Sequence, residues 1–339
     1  MAAAKQPSVA VLGGGSWGST VASTCARNTR TTLWARDPAA AAEITARRRN
    51  PRYLGDLPLA RALRATSDLA EAVAEADVLV MAVPSHSFRS VLEEAAEHVR
   101  PWIPVVSLVK GLEQGSRLRM TEVVASVLPG HPAGVLAGPN IAREILQGFA
   151  AAATIAMPDH RTAEMLQELF RTSRFRVYTS TDVIGAEIAG ALKNVFAIAT
   201  GIGDGLQAGD NTRAMVITRS LRELARLGGA LGGQQETFAG LAGMGDLIAT
   251  CTSAHSRNRR VGVGLAQGKS LEAIAEDLGQ VAEGVKSSSV VMKLAAERGV
   301  DMPIAAEVDA VINHGQPVAD AYRGLLKQRP GHELHGDAW

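Results

Sequence analysis

Cysteine is nearly absent from this 339-residue chain: Cys25 and Cys251 stand far apart, in apolar or turn contexts. That pattern excludes a disulfide framework and a zinc knuckle, no metal site is expected, and the setting it suggests is a reducing, cytoplasmic one. Net charge is also missing, with 35 Lys and Arg against 34 Asp and Glu. A nucleic-acid partner is therefore not expected, because a phosphate-backbone footprint needs an excess of cations. Aromatics are scarce, at six Phe, four Trp and three Tyr, so the packing must rest on Ala, Leu and Val. Long apolar runs are lacking too. The richest uncharged stretch, 146–158, contains Gln147 and Gly148 and is too short to cross a bilayer, so it reads as a buried strand. The first seven residues hold no apolar signal core, and neither a secretory leader nor membrane insertion is expected.

What the chain does have is 46% apolar residues and 34 glycines, enough to build sizeable cores with many tight turns. Short apolar runs at 8–12, 30–35, 77–83, 104–108 and 134–137 alternate with helical periodicity at 16–28, 38–49, 85–99 and 117–128. Strand and helix in alternation predict an α/β fold with a doubly wound parallel sheet. Further strands near 151–157 and 174–179 bracket a helix and extend that sheet, and after residue 181 only helices broken by glycine clusters follow. The expected plan is an N-terminal Rossmann-type domain over 1–180, an all-helical C-terminal domain over 181–326 and a loose tail over 327–339.

Directly after the first strand comes Gly13-Gly14-Gly15-Ser16-Trp17-Gly18, which fits G-x-G-x-x-G with Gly13, Gly15 and Gly18 in register. Gly13 permits the turn, Gly15 lets a pyrophosphate approach the backbone, and Gly18 allows close helix packing, while the helix N-terminus attracts the negative charge. At the end of the second strand Arg36 precedes Asp37. A cation there suits a 2′-phosphate and favours NADP, whereas Asp37 suits a ribose hydroxyl.

Several residues suit chemistry at the carboxyl edge of such a sheet. Lys110 follows one strand, and Gly138-Pro139-Asn140 ends the next, with a helix expected to begin near Asn140 and aim donors at the crevice. In the apolar helical segment 183–202, Lys193-Asn194 is an expensive insertion. Burial disfavours a lysine's charged form, which suits proton transfer near neutral pH, and snorkelling to the surface is the alternative. Asp246 follows a glycine turn at a helix start, as a cap or as a group orienting that lysine. Ser256, Arg257 and Asn258 sit at the mouth of another helix, where a planar cation and directional donors suit phosphate oxygens.

With GGGSWG, VKGLE, AGPN, ALKNVFAIATGIGDGL, ITR, LAGMGDL, TCTSAHSRNRR and VAEG in order over about residues 8–326, the chain resembles the bacterial NAD(P)-dependent glycerol-3-phosphate dehydrogenases. The resemblance implies reversible hydride transfer between NAD or NADP and dihydroxyacetone phosphate, giving sn-glycerol 3-phosphate for phospholipid assembly, and a homodimer. It implies that Ser16, Trp17 and Arg36 contact the cofactor, with Arg36 favouring NADPH, that Ala142 lines the cofactor pocket, and that Val281 and Glu283 close it. Lys193 is then the general acid/base, oriented by Asn194 and Asp246, and Lys110 adds electrostatic stabilisation and touches the cofactor. Lys110, Gly138 and Asn140 also touch the substrate, while Ser256, Arg257 and Asn258 bind its phosphate and Arg257 reaches the cofactor as well. Two other classes fit the bare pattern: a 3-hydroxyacid or ketopantoate type of reductase, whose substrates carry carboxylates, and a non-catalytic nicotinamide sensor.

Overall fold

A computed structural model describes residues 7–279 and 282–327. Eight strands form one sheet: β1 (Val9–Leu12), β2 (Thr31–Trp34), β3 (Arg64–Thr66), β4 (Val78–Met81), β5 (Val105–Ser107), β6 (Ala133–Ala137), β7 (Ala151–Ala156) and β8 (Phe175–Ser180). Their order is β3-β2-β1-β4-β5-β6-β7-β8, so the chain reverses its direction of travel across the sheet between β1 and β4. That switch opens a crevice at the carboxyl ends of the strands.

The short apolar runs become strands because both of their faces are covered. Along β1, Val9 and Val11 join one buried cluster with Leu33, Ile44 and Leu136, while Ala10 and Leu12 join another with Leu79, Phe88 and Leu92. Two features depart from the expected sheet. β3 is a three-residue edge strand with no apolar run to announce it. The β6–β7 pair is antiparallel, with Leu136 opposite Ile155, whereas every other pair is parallel. A parallel crossover needs a helix long enough to return along the strand, and the helix between these two, Ala142–Leu146, has only five residues.

Contacts divide the chain into two units differently from a break at residue 180: Met1–Ala191 with Leu231–Asp246, and Leu192–Ala230 with Leu247–Trp339. The division falls inside the Val183–Gly205 helix. Asp182 accounts for this. Its Oδ1 accepts the Gly185 N–H, and its Oδ2 accepts the Gln234 N–H at 2.8 Å and the Thr237 hydroxyl at 2.6 Å, tying the returning segment to the sheet-bearing unit. The second unit is helical throughout its described residues, with Asp210–Ala230, Arg257–Ala266, Glu283–Arg298 and Pro303–Asn313 among its helices. The tail expected beyond Lys327 lies outside the described residues.

Candidate active site

In the sheet-bearing unit the site begins at the glycine loop. Gly13 has φ +128°, and a Cβ there would lie 2.6 Å from the Ala82 carbonyl oxygen, so the turn and its approach to β4 both require glycine. A Cβ at Gly18 would lie 2.0 Å from the Gly13 oxygen, whereas one at Gly15 meets nothing within 4 Å. Gly15 precedes the helix Ser16–Cys25 with no side-chain cap, leaving first-turn N–H groups for an anion. Asn50, which sequence reasoning missed, braces the loop by donating to the Gly14 carbonyl and the Ser19 hydroxyl, both at 2.8 Å. The only local sign of Asn50 is the turn-favouring Asn50-Pro51 pair.

Trp17 packs edge-on against Phe175, and its Nε1–H is buried with no hydrogen-bond partner among the described residues. Arg36 is exposed just past β2, and Asp37 is an N-cap, its carboxylate accepting the Ala39 N–H at 2.9 Å. Ala142 is half-buried at the start of its short helix and packs against the sheet's apolar core.

At the carboxyl ends of β5 and β6, Lys110 Nζ donates to the Gly138 carbonyl at 2.8 Å and pairs with Asp246 Oδ2 at 2.8 Å. Asp246 is 2% exposed and is delivered by a π-helical turn, Leu241–Gly245, in which the Gly245 N–H donates to the Gly240 carbonyl. π-turns of this kind cluster at functional sites. The helix after β6 begins at Ala142 with Ile141 as N-cap, so Asn140 is not the helix cap that its sequence position suggests. Both polar atoms of its amide are instead buried with no partner among the described residues. An unpaired buried amide costs about 1–3 kcal/mol, so such a group marks a place that a ligand completes.

In the helical unit Lys193 is 4% exposed and donates from Nζ to the Thr250 hydroxyl at 2.8 Å; it does not snorkel to the surface. Thr250 lies one helical turn after Asp246 on the Asp246–Thr252 helix, a spacing legible in the sequence but not used. Asn194 Oδ1 accepts from Asn258 Nδ2 at 2.9 Å, and Asn258 Oδ1 accepts the Gly284 N–H at 2.9 Å. The Asn258 side chain is thus engaged in both directions by protein, although sequence reasoning gave it to a phosphate. Ser256 caps the ten-residue Arg257–Ala266 helix, its hydroxyl accepting the Arg259 N–H at 3.3 Å, and Arg257 begins that helix. Arg257 is exposed, with Glu283, first residue of Glu283–Arg298, as its opposite-charge neighbour. Val281 lies outside the described residues.

Gly15 opens onto free space at the switch point, flanked by a helix N-terminus and an unpartnered indole N–H, and these residues fit a dinucleotide's pyrophosphate. A switch-point glycine cradle with a lysine–aspartate pair at the same sheet edge is the arrangement of a dinucleotide-dependent oxidoreductase. Residues 8–163 match the family model for the NAD-dependent glycerol-3-phosphate dehydrogenase N-terminus, and 182–323 match that for its C-terminus. The chain is 61% identical over 336 residues to a glycerol-3-phosphate dehydrogenase [NAD(P)+] of Mycobacterium avium, covering 99% of this chain and 98% of that one. It is 60% identical, with the same coverage, to one from Mycobacterium tuberculosis. The crystal structure of glycerol-3-phosphate dehydrogenase from Coxiella burnetii superposes with a TM-score of 0.90 at 36% identity, covering 95% of this chain and 99% of that one. The chain belongs to the NAD-dependent glycerol-3-phosphate dehydrogenase family.

Proposed function

We propose that the protein reversibly reduces dihydroxyacetone phosphate to sn-glycerol 3-phosphate with NAD(P)H, supplying the alcohol from which glycerophospholipids are built. The observation that carries the mechanism is Lys193: an ammonium 4% exposed in an apolar helix, held on the Thr250 hydroxyl. When bound, the nicotinamide supplies the hydride. Lys193 gives its proton to the substrate oxygen as negative charge develops there, and takes it back in the reverse direction. Asn194 fixes the helix position beside it, and Thr250 fixes its ammonium.

Lys110, oriented by Asp246 and the Gly138 carbonyl, adds electrostatic stabilisation for the substrate, and the Asn140 amide completes its hydrogen bonds on the substrate. Ser256 and Arg257, with the first N–H groups of the Arg257–Ala266 helix, hold the phosphate, and Asn258 contributes through its backbone. Gly13, Gly15, Ser16, Trp17 and Gly18 hold the pyrophosphate end of the cofactor, Arg36 selects NADPH through its 2′-phosphate, and Ala142, Arg257 and Glu283 also contact it. The enzyme acts in the cytoplasm as a homodimer.

The test is oxidation of NADH and of NADPH by purified protein with dihydroxyacetone phosphate, beside dihydroxyacetone and ketopantoate. Turnover confined to the phosphorylated ketone is expected, and faster oxidation of NADPH is expected from Arg36. Equal turnover of dihydroxyacetone would remove the phosphate site, and cofactor binding without turnover of any of the three would make the protein a sensor.

A further inference from the structure

Glu187 lies six residues before Lys193 on the same helix, and the mechanism above leaves it unused. It is 5% exposed and ringed by donors from one short segment. Its Oε1 accepts the Thr121 N–H at 2.9 Å, and its Oε2 accepts the Thr121 hydroxyl at 2.5 Å and Arg119 Nη1 at 2.8 Å. Burial pushes its carboxyl up, against the pull of Arg119 and Thr121. A buried carboxylate with three donors is costly to assemble, and replacing a whole buried ion pair by well-packed apolar residues is often neutral, so stability is a weak reason for its being there.

Its position supplies a reason. Arg119 and Thr121 start the Met120–Val127 helix, which ends the loop that carries Lys110. One turn beyond Glu187 on its own helix, Gly190 lies against the Lys110 stem, where an added Cβ would be 3.5 Å from Cγ. The loop is therefore seated on one helix at both ends, by Glu187 at residues 119–121 and by Gly190 at residue 110. Between the two ends it is closed on itself by the Glu113 N–H donating to the Leu118 carbonyl and the Arg117 N–H donating to the Glu113 carbonyl. Arg89 clamps Glu113 from the far side through two bonds of 2.8 and 2.9 Å. The loop is thus one contiguous set of packed and hydrogen-bonded groups from residue 110 to residue 121, the physical condition for a shift at one end to reach the other. Asp182, five residues earlier and immediately before the same helix, holds the segment that leads to Asp246.

We propose that Glu187 is a positioning residue for Lys110: through Arg119 and Thr121 it sets the seat of the loop and so the place of the Lys110 ammonium between Gly138 and Asp246. This rests on the role given to Lys110 above, and a double-mutant cycle separates the two. Glu187→Gln keeps the shape and removes the charge. It is expected to leave the NADH dissociation constant within about twofold and to lower kcat/KM about 10- to 100-fold, the range found for groups that orient a reacting side chain. In a Lys110→Ala background the same substitution is expected to cost less than about threefold, because the group it positions is gone. A merely structural Glu187 would cost the full factor in both backgrounds, and that result, or unchanged kcat/KM in the single variant, overturns the proposal. Full activity in Lys110→Ala would overturn the role of Lys110 and this proposal with it. Should Glu187→Gln fail to fold, Thr121→Val removes only the hydroxyl bond. It is expected to lower kcat/KM about threefold or more alone and to leave the Lys110→Ala background unchanged, and equal losses in both backgrounds overturn the proposal in the same way.

Discussion

Alanine at Gly15 and alanine at Gly18 should damage this protein in opposite ways. At Gly18 the added Cβ would lie 2.0 Å from the Gly13 oxygen and 2.8 Å from the Ala82 Cβ. Ordinary contact is about 3.5–4 Å, so backbone must move by more than ~1 Å. Overpacking of this kind costs about 1–3 kcal/mol, and a backbone obstacle places it at the upper end. The helix-propensity gain of Ala over Gly returns about 1 kcal/mol, leaving a net loss of about 2 kcal/mol. For a unit of this size that is a fall of roughly 4–8 °C in Tm. Gly15 has φ −73° and ψ −178°, open to any residue, and its Cβ meets nothing. Stability should change by less than about 1 kcal/mol, the spread among caps. The methyl group would instead occupy the open face of the cradle and hold a pyrophosphate off the helix N–H groups. Losing charge-assisted bonds of about 1.5–3 kcal/mol raises the NADH dissociation constant roughly 10- to 150-fold. Thermal unfolding and NADH fluorescence titration of both variants read the two effects separately. Tight NADH binding by Gly15→Ala, or equal Tm losses in the two variants, would refute the assignment of turn, cradle and packing roles to the three glycines.

Lys193→Met keeps the buried stem and should lower kcat about 10²- to 10⁴-fold, the span of general acid catalysis, with NADH affinity within about twofold by titration; retained turnover would remove Lys193 from the proton transfer. Arg257→Ala should cost about 2–3 kcal/mol of phosphate recognition, or roughly 30- to 150-fold in kcat/KM for dihydroxyacetone phosphate, and a loss under about fivefold would reject it. Glu223 caps the Pro303–Asn313 helix by accepting the Ile304 and Ala305 N–H groups, with Arg226 and Asp301 as its charged neighbours. Burial pushes its carboxyl from 4.5 up to about 7. The folded state then holds a proton that the unfolded chain releases, so this contribution is full below about pH 4.5 and is lost as pH rises to about 7, amounting to about 3 kcal/mol at most. Urea midpoints measured from pH 4.5 to 8 should lose that slope in Glu223→Gln, and an unchanged slope would place the titration elsewhere.

The sheet was legible where both faces of a strand are buried, because an uninterrupted apolar run then survives in the sequence. β3 was not, since Arg64 is exposed and the strand is held by pairing with β2 and by side chains from elsewhere, the Thr45 hydroxyl bonding both the Ala65 N–H and carbonyl. The antiparallel turn into β7 was hidden because strand direction is set by the length of the Ala142–Leu146 helix, whose weak periodicity says little. Among the site residues, glycines were easy to read, since their reason is local sterics. Lys193 was legible as an ion in an apolar helix, but Thr250 and Asn50 were not, being brought to their partners across 57 and 36 residues of chain. The Asn140 amide shows the converse: its place after β6 reads as aimed at the crevice or as a helix cap, and the structure leaves the cap to Ile141 and buries the amide with no partner among the described residues. Residues whose work is done on another segment leave almost no mark on their own.

The amide chain in the helical unit gives the clearest reason why an apparent ligand residue can be a structural one. Asn194, Asn258 and Gly284 are joined by successive hydrogen bonds of 2.9 Å, and each directly follows a residue assigned to chemistry or binding: Lys193, Arg257 and Glu283. A Cβ at Gly284 would lie 2.6 Å from the Asn194 carbonyl oxygen and 2.8 Å from Asn258 Oδ1, so the Glu283–Arg298 and Val183–Gly205 helices meet backbone to backbone there, with the Asn258 amide wedged beside them. An amide suits such a place because it donates and accepts at once and carries no charge to desolvate. Neither aspartate, with no donor, nor leucine, with neither group, would close the chain. The junction therefore fixes the backbone positions of Lys193, Arg257 and Glu283 relative to one another. An asparagine two residues after Ser256 therefore has work to do within the protein, whatever else it touches: it holds the start of the Arg257–Ala266 helix against Asn194 and Gly284.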